Sequence, residues 1–502
     1  MPTDRLPDNP DIEQLKRHAK TLRDLVRAGV DGAVELVREH HPRLATLSAG
    51  TSAATAFKLA DAQLTLARHY DFASWPKLRR YVETVNRLSR SPHNQPVGGD
   101  LVDDVARADE LLRLSCLNYG ADDFGRRQQA HRLLAEHPQL AQFSIFTAAA
   151  VGDVAAATEI LGSDRDAASL EGGTFQWVPL LYLTYSRVET VGGDPVAVAR
   201  LLLAHGADPN AGYLWEGLPS PFTALTGVFG RGEQGAPPHA LELALARLLL
   251  EAGAEPNDSQ TIYNRGAGDI ARDDIEFLEL LLDFGLGRGD GGPWRRLLAH
   301  GHQSPVEIAA EALQHAAEAG LERRTRLLLE RGVDPEEPGI HPGYLGRRPY
   351  EGAVLHGNIA VAALLADAGA DTSAVEPLTR FIGACLAADR RAVDDALAAD
   401  ADLLERALAT RSDLITRAVE LGRPNAIRLL FELGFDVNAR QRTTALHEAA
   451  LRGLLPIVTL LVDLGADPTI VDAEHDSTPQ GWAQHGGQTA VVDYLEQLPR
   501  RT

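Results

Sequence analysis

Cysteine is nearly absent: Cys116 and Cys385 are the two thiols of a 502-residue chain. Far apart in the sequence, they exclude a disulfide framework and fit a reducing, cytoplasmic setting. Aromatic residues are sparse at 6%, as small stacked helices rich in Ala and Leu require. Lysine is scarce beside 45 arginines, a bias that reads as genome base composition rather than function. No apolar run reaches the ~18 residues of a membrane span, and Met1–Asp8 lacks the basic-then-apolar layout of a signal peptide. With 44% hydrophobic and 24% charged residues, the chain can still bury a large core.

What the chain does have is one phrase, repeated. LLLAHGADPN from Leu201 returns as LLLEAGAEPN from Leu248, LLLDFGLGRG from Leu280 and LLLERGVDPE from Leu327. It returns again as LLADAGADTS from Leu364, LLFELGFDVN from Leu429 and LLVDLGADPT from Leu460. The starts are 47, 32, 47, 37, 65 and 31 residues apart. Such a period marks a solenoid, in which each unit buries its apolar face against its neighbours. The Leu run reads as the buried stripe of a helix, the glycine as its left-handed end, and Asp-Pro-Asn as a turn. The two 47s imply insertions. Within the 65 lies a worn copy, Ala396 to Asp402, where Asp400 replaces the glycine. A unit without that glycine is expected to be a weak coupling point.

The fullest unit runs TTALHEAALRG from Thr443, then Ile457-Val458-Thr459-Leu460-Leu461. It resembles the ankyrin repeat, whose consensus is T-P-L-H-x-A-A-x-x-G followed by I-V-x-L-L-L-x-x-G-A-D-x-N. Fainter first-helix matches begin at Pro349 and Pro479. The resemblance covers about residues 140–498 and implies an all-α ankyrin-repeat solenoid of about nine or ten helix pairs, ending in a polar cap that includes Gln497 and Pro499-Arg500-Arg501. It also implies that His447 bonds to loop backbone between units, and that partners meet the concave helix face and the inter-repeat loops.

The first residues, 1–88, form a separate small helical domain in this reading. Asn9-Pro10 opens a first helix with Ile12, Leu15, Ala19, Leu22 and Val26 on one face, closed by Gly29. Further helices are expected at 33–39, at 54–68 and after Ser74. The phrase Phe72-Ala73-Ser74-Trp75-Pro76-Lys77-Leu78 resembles a helical module found ahead of ankyrin arrays in some bacterial proteins, a likeness that implies no particular activity. Residues 89–100 read as a linker, and 101–498 as the acidic array.

Residues 1–95 hold 15 basic against 11 acidic side chains, and the remainder 34 against 59. An acidic solenoid repels nucleic-acid backbones and anionic membranes. Lys16, Arg17, Lys20, Arg23 and Arg27 gather on one helix of the basic module, where a solvated face is the simplest account and nucleic acid a lesser one.

Motifs for chemistry mostly fail. Gly230-Arg231-Gly232-Glu233-Gln234-Gly235 spells the dinucleotide fingerprint, but it lies in an insertion ending in Pro237-Pro238, not between strand and helix. His447-Glu448 begins like a zinc-protease helix, yet Leu451 stands where the second His belongs. His300-Gly301-His302 lacks a third ligand at a recognisable spacing. The pairs Asp122-Asp123, Asp273-Asp274 and Asp394-Asp395 fit no diphosphate pattern, and neither Cys announces a nucleophile. No metal or cofactor is expected.

A constellation of aromatic and polar side chains gathers in and around the connections of residues 170–300. The candidate contact set is Phe175, Trp177, Tyr182, Tyr185, Tyr213, Trp215, Tyr263, Asn264, Arg265, Trp294, Arg295 and Arg296. Trp, Tyr and Arg dominate interface energetics because they bury large area at modest entropy cost. Against this stands packing: the same rings can simply hold the loops down. Two functions remain open. One is a non-catalytic, cytoplasmic, monomeric scaffold for a protein partner, without membrane attachment. The other is an enzyme or small-molecule binder with a pocket under the insertions at 226–239 and 286–304, using Tyr182, Tyr185, Tyr263, Asn264, Arg265 and His302.

Overall fold

The computed structural model describes residues 6–7, 9–94, 101–120, 122, 124–232, 235–266, 273–298 and 302–498. The chain divides into two compact units, residues 1–312 and 313–502, the division falling within the helix Pro305–Ala319. No described helix is long and apolar enough to cross a membrane.

The first unit opens with the helices Ile12–Arg27, Asp31–His40, Ser52–Thr55, Leu59–His69 and Trp75–Leu88. Asp11, not Asn9, caps the first, accepting from the Glu13 N–H, and the expected third helix is split in two. Ala19, Leu22, Val26, Val34, Val37 and Phe57 form one core. Leu15, Phe72, Leu78 and Val82 form another. Part of the basic stripe is engaged by the module itself. Lys16 meets Glu13 at 2.7 Å, Arg23 meets Asp24 at 2.7 Å, and Arg27 donates to the Phe57 carbonyl.

The expected linker is structured where it is described. Ser89–Arg90 is a short strand, β1, and Pro92–Asn94 a 3-10 turn; residues 95–100 lie outside the described residues. β1 pairs in parallel with Gly212–Trp215 (β2), which pairs antiparallel with Pro221–Thr223 (β3), Tyr213 opposite Phe222. The protein is mostly helical, as expected, and this small sheet is an addition to it, which forms because the insertion after Asp208-Pro209-Asn210 turns back as an extended hairpin and leaves a free edge for residues 89–90.

Helix pairs follow. In the first unit they are Asp104–Ser115 with Phe124–Glu136, Ile145–Val151 with Val154–Ser163, Pro179–Tyr185 with Pro195–Ala204, Ala224–Phe229 with Glu242–Glu251, and Ser259–Gly266 with Glu276–Asp283. Helix Pro305–Ala319 contains the division and is followed by Glu322–Glu330. The second unit continues with Pro349–Leu355 and Ile359–Asp367, Pro377–Leu386 and Arg390–Ala399, and Leu414–Glu420 and Pro424–Glu432. Ala445–Leu451 with Leu455–Asp463 and Pro479–His485 with Thr489–Glu496 complete it. Asp153, Asp194 and Asp389 cap the second helices of their pairs by accepting from Ala156, Ala197 and Ala392 N–H, each cap worth about 1 kcal/mol. Phe381, Leu414, Ile427, Leu446, Val458 and Leu495 belong to one continuous core in the second unit.

The glycine of all seven repeated phrases is left-handed, from Gly332 at φ +83° to Gly285 at +109°. At the worn copy the chain does something else: Asp400 is extended, at φ −146°, and a supernumerary helix, Leu403–Thr410, follows. Helix Arg390–Ala399 buries only Val393 among its described side chains. Hydrogen exchange is therefore expected to be faster over residues 390–410 than over 424–432, and uniform protection across 364–465 would remove the idea. His447 takes its implied role, with Nδ1 at 2.8 Å from Thr444 Oγ1 and Nε2 at 3.0 Å from the Ser477 carbonyl of the next pair. At the C-terminus Val491 and Leu495 are buried; Pro499-Arg500-Arg501 lies outside the described residues.

Candidate functional site

The loop before Pro179 sets the geometry of the first unit. Gly172 and Trp177 exchange both backbone hydrogen bonds at 3.1 Å, closing a tight hairpin whose Gly173 sits at φ +64°. The Tyr182 hydroxyl plugs it, donating to the Gly172 carbonyl at 2.8 Å and accepting from the Phe175 N–H at 2.9 Å. A Cβ on Gly173 would lie 2.7 Å from that hydroxyl. Rings then pack inward: Phe175 tilted against Trp177 at 4.6 Å, Trp177 stacked on Tyr213 at 4.9 Å, and Tyr213 stacked on Phe222 at 5.5 Å. The Tyr185 hydroxyl donates to the Thr223 carbonyl at 3.0 Å. Burial pushes the phenols of Tyr182, Tyr185 and Tyr213 far above their ordinary range.

This arrangement corrects part of the contact set. Phe175, Trp177, Tyr182, Tyr185 and Tyr213 are buried. Phe175, Tyr182 and Tyr185 carry the surface rather than form it, because inserted loops with few aliphatic side chains need large rings to cover them, while Trp177 and Tyr213 reach only the wall of a cleft. Asn264 and Arg265 are buried too. Asn264 accepts from Gln260, while its carbonyl accepts the Gly232 N–H. Arg265 reaches Asp274 at 2.6 Å and Glu242 at 3.2 Å, its guanidinium 4.3 Å from the Phe277 ring centre. Tyr263 is exposed, and Arg296, also exposed, pairs with Asp290 at 2.6 Å. Trp215 and Trp294 are half-buried. Trp215 stacks on His93 at 4.5 Å, and Trp294 Nε1 donates to the Asn210 carbonyl at 2.8 Å. Arg295 donates to the Asp290 carbonyl.

Three elements meet around these tryptophans. Val85 of helix Trp75–Leu88, Leu214 of β2 and Leu298 of the inserted helix Gly292–Leu298 share a core with Trp294. Between them lies a half-open cleft of about 320 Å³. Its apolar walls include Leu88, Val178, Leu181, Tyr213, Trp294 and Leu297, and its rim includes Arg90, Glu171 and Asp208. Sequence reasoning anticipated Trp177, Tyr213 and Trp294 near one another. It missed Leu88 and Arg90, read as helix end and linker, and Asp208, read as a turn residue. The one available signal was the Leu88–Arg90 apolar-to-basic step directly after a strong amphipathic helix.

Beneath the first of the two insertions, the 226–239 loop is held down by a clamp. Arg187 donates to the carbonyls of Pro237 at 2.7 Å, Gly227 at 2.6 Å, Thr184 at 3.0 Å and Ser186 at 2.8 Å. Desolvation by burial lowers its pKa to about 10. Gly230 ends helix Ala224–Phe229, and Arg231 bridges back to Ala236. Among its described residues the glycine fingerprint opens no helix; Glu233 and Gln234 lie outside the described residues. His302 is half-buried, with Nδ1 3.1 Å from the Gln303 carbonyl; His300 and Gly301 lie outside the described residues, as does Asp123.

One carboxylate is buried beneath these elements. Asp258 accepts from the hydroxyls of Thr223 and Thr226 and from the Thr261 N–H. Desolvation raises its pKa against those hydrogen bonds. With every contact supplied by the neighbouring helix pair or its own cap, it couples two repeats.

Residues 382–472 match the family model of ankyrin repeats, in three copies. The chain therefore carries an ankyrin-repeat region in its second unit, and ankyrin repeats are generally protein-interaction modules. The cleft lies outside the matched residues. No curated protein matches the chain.

Proposed function

We propose that this chain is a non-catalytic binding scaffold that recognises a protein partner through the loop side of its first unit. The observation that carries the reading is the cleft beside Trp294 and Leu297: preformed, mostly apolar and edged with charge, which is the anatomy of an interface centre with a polar rim. Aromatic rings packed behind Trp177 and Tyr213 hold its walls, so little ordering cost attends binding. Both cysteines are buried, their thiols pushed up to about 12 by desolvation, consistent with unreactive thiols in a reducing cytoplasm.

Leu297 is 43% exposed, so Leu297→Arg should leave the fold intact while placing a charge at the cleft mouth. Affinity capture with full-length wild type and Leu297→Arg is expected to show a partner lost selectively in the variant. An identical partner list from two equally folded proteins would count against this face. A small-molecule binder is the second reading, favoured by a cleft volume at the lower end of ligand pockets, which run from ~300 Å³. A thermal shift with a small metabolite that vanishes in Leu297→Arg would favour it.

A further inference from the structure

Charge around the cleft narrows its occupant. Arg90, the only cation on the rim among the described lining residues, is already engaged. Its Nε donates to the Gln176 carbonyl, Nη1 to the carbonyls of Arg87 and Ser89, and Nη2 to Glu171 at 3.2 Å. A guanidinium has five N–H donors, so this one has little left for an incoming anion. Asp208 is in the opposite situation. It is exposed, its Oδ1 accepts only the Asn210 N–H of its own turn, and no described cation pairs with it. Beyond the rim, residues 96–502 hold 59 acidic against 34 basic side chains.

We propose that the cleft receives one bulky apolar side chain of a basic peptide segment, whose adjacent lysine or arginine pairs with Asp208. This rests on the scaffold reading above. The walls of Leu88, Leu181, Tyr213, Trp294 and Leu297 desolvate the apolar group. The rim carboxylate selects the sign of its neighbour, and the acidic array speeds its approach, because complementary fields govern encounter and partner choice more than raw affinity.

The test is selection of a random peptide library on the immobilised full chain, counter-selected on Leu297→Arg. Peptides retained by wild type and lost on the variant are expected to share Phe, Trp or Leu beside Lys or Arg. A synthetic peptide of that pattern should bind about threefold more weakly to Asp208→Asn, the scale of one rim ion pair, and more weakly still as salt rises. Asn keeps the turn acceptor, so the fold is retained. Selected peptides that are acidic, an absence of cleft-dependent peptides, or unchanged affinity in Asp208→Asn overturns the proposal. If capture still yields a partner in a Leu297-dependent manner, the scaffold reading survives and only the basic class falls. If basic peptides bind but no partner depends on Leu297, the reverse holds.

Discussion

Gly383→Ala is expected to destabilise the second unit by about 3 kcal/mol, the upper end of what overpacking a tight interior costs. Gly383 is buried inside the helix Pro377–Leu386. A Cβ placed on it would lie 1.9 Å from the Val354 carbonyl oxygen, at the end of the neighbouring helix Pro349–Leu355. The obstacle is backbone, not the movable tip of a side chain, so relief requires the two helices to part. Its counterpart across the contact is equally tight, since a Cβ on Gly357 would lie 2.7 Å from the Gly383 carbonyl oxygen. Helix propensity argues in the opposite direction, favouring Ala over Gly by about 1 kcal/mol in a helix interior. The two effects differ in sign, so the measurement decides between them. Urea denaturation and hydrogen exchange over 349–399 should show loss for Gly383→Ala. A gain in stability would mean that the helices separate freely there. Solenoid stability sums unit and interface terms, so exchange should rise most in the two helix pairs that share this contact.

The same contact shows what could be read from the sequence and what could not. The repeated phrase made the second helices and their left-handed glycines legible, because each unit obeys the same local rule: an apolar stripe, a glycine end, a polar turn. Gly383 carries no such local signal, and its role exists only where two backbones meet. The aromatic cluster was legible as a cluster, but its direction was not. Trp177 and Tyr213 occupy loop-like sequence, and only the packing of Phe175, Trp177, Tyr213 and Phe222 on one another turns them inward. Residues 89–90 look like linker by composition and become a strand because β2 offers an unpaired edge, a long-range condition that composition cannot express. Arg265 reads as an interface anchor in isolation and is a buried crosslink once Asp274 and Glu242 are placed beside it.

Acid should loosen the first unit locally around His239, and a single substitution should remove much of that effect. His239 is 9% exposed, and its Nδ1 accepts the Leu241 N–H at 3.0 Å, which fixes the neutral ring with its proton on Nε2. Protonation would set two donors against each other in a desolvated site near the Arg187 guanidinium. Desolvation first, and Arg187 second, lower its pKa from the usual 6.5 to about 3. A histidine depressed on folding stabilises the native state above its unfolded pKa, and that contribution is lost as pH falls from about 6.5 towards 3. Between pH 7 and pH 5 the loss from this one group should be about 2 kcal/mol, since a fully developed one-proton slope is about 1.4 kcal/mol per pH unit. Asp258, whose carboxyl is raised by burial, contributes with the opposite sign as acid is added, so total stability alone does not isolate His239. Comparison with His239→Asn does, because the amide oxygen can still accept from Leu241 but does not titrate. Protection of residues 224–251, corrected for intrinsic exchange rates, should fall between pH 7 and pH 5 in wild type and fall by about 2 kcal/mol less in the variant. Equal losses in both proteins would place the acid sensitivity of this segment elsewhere.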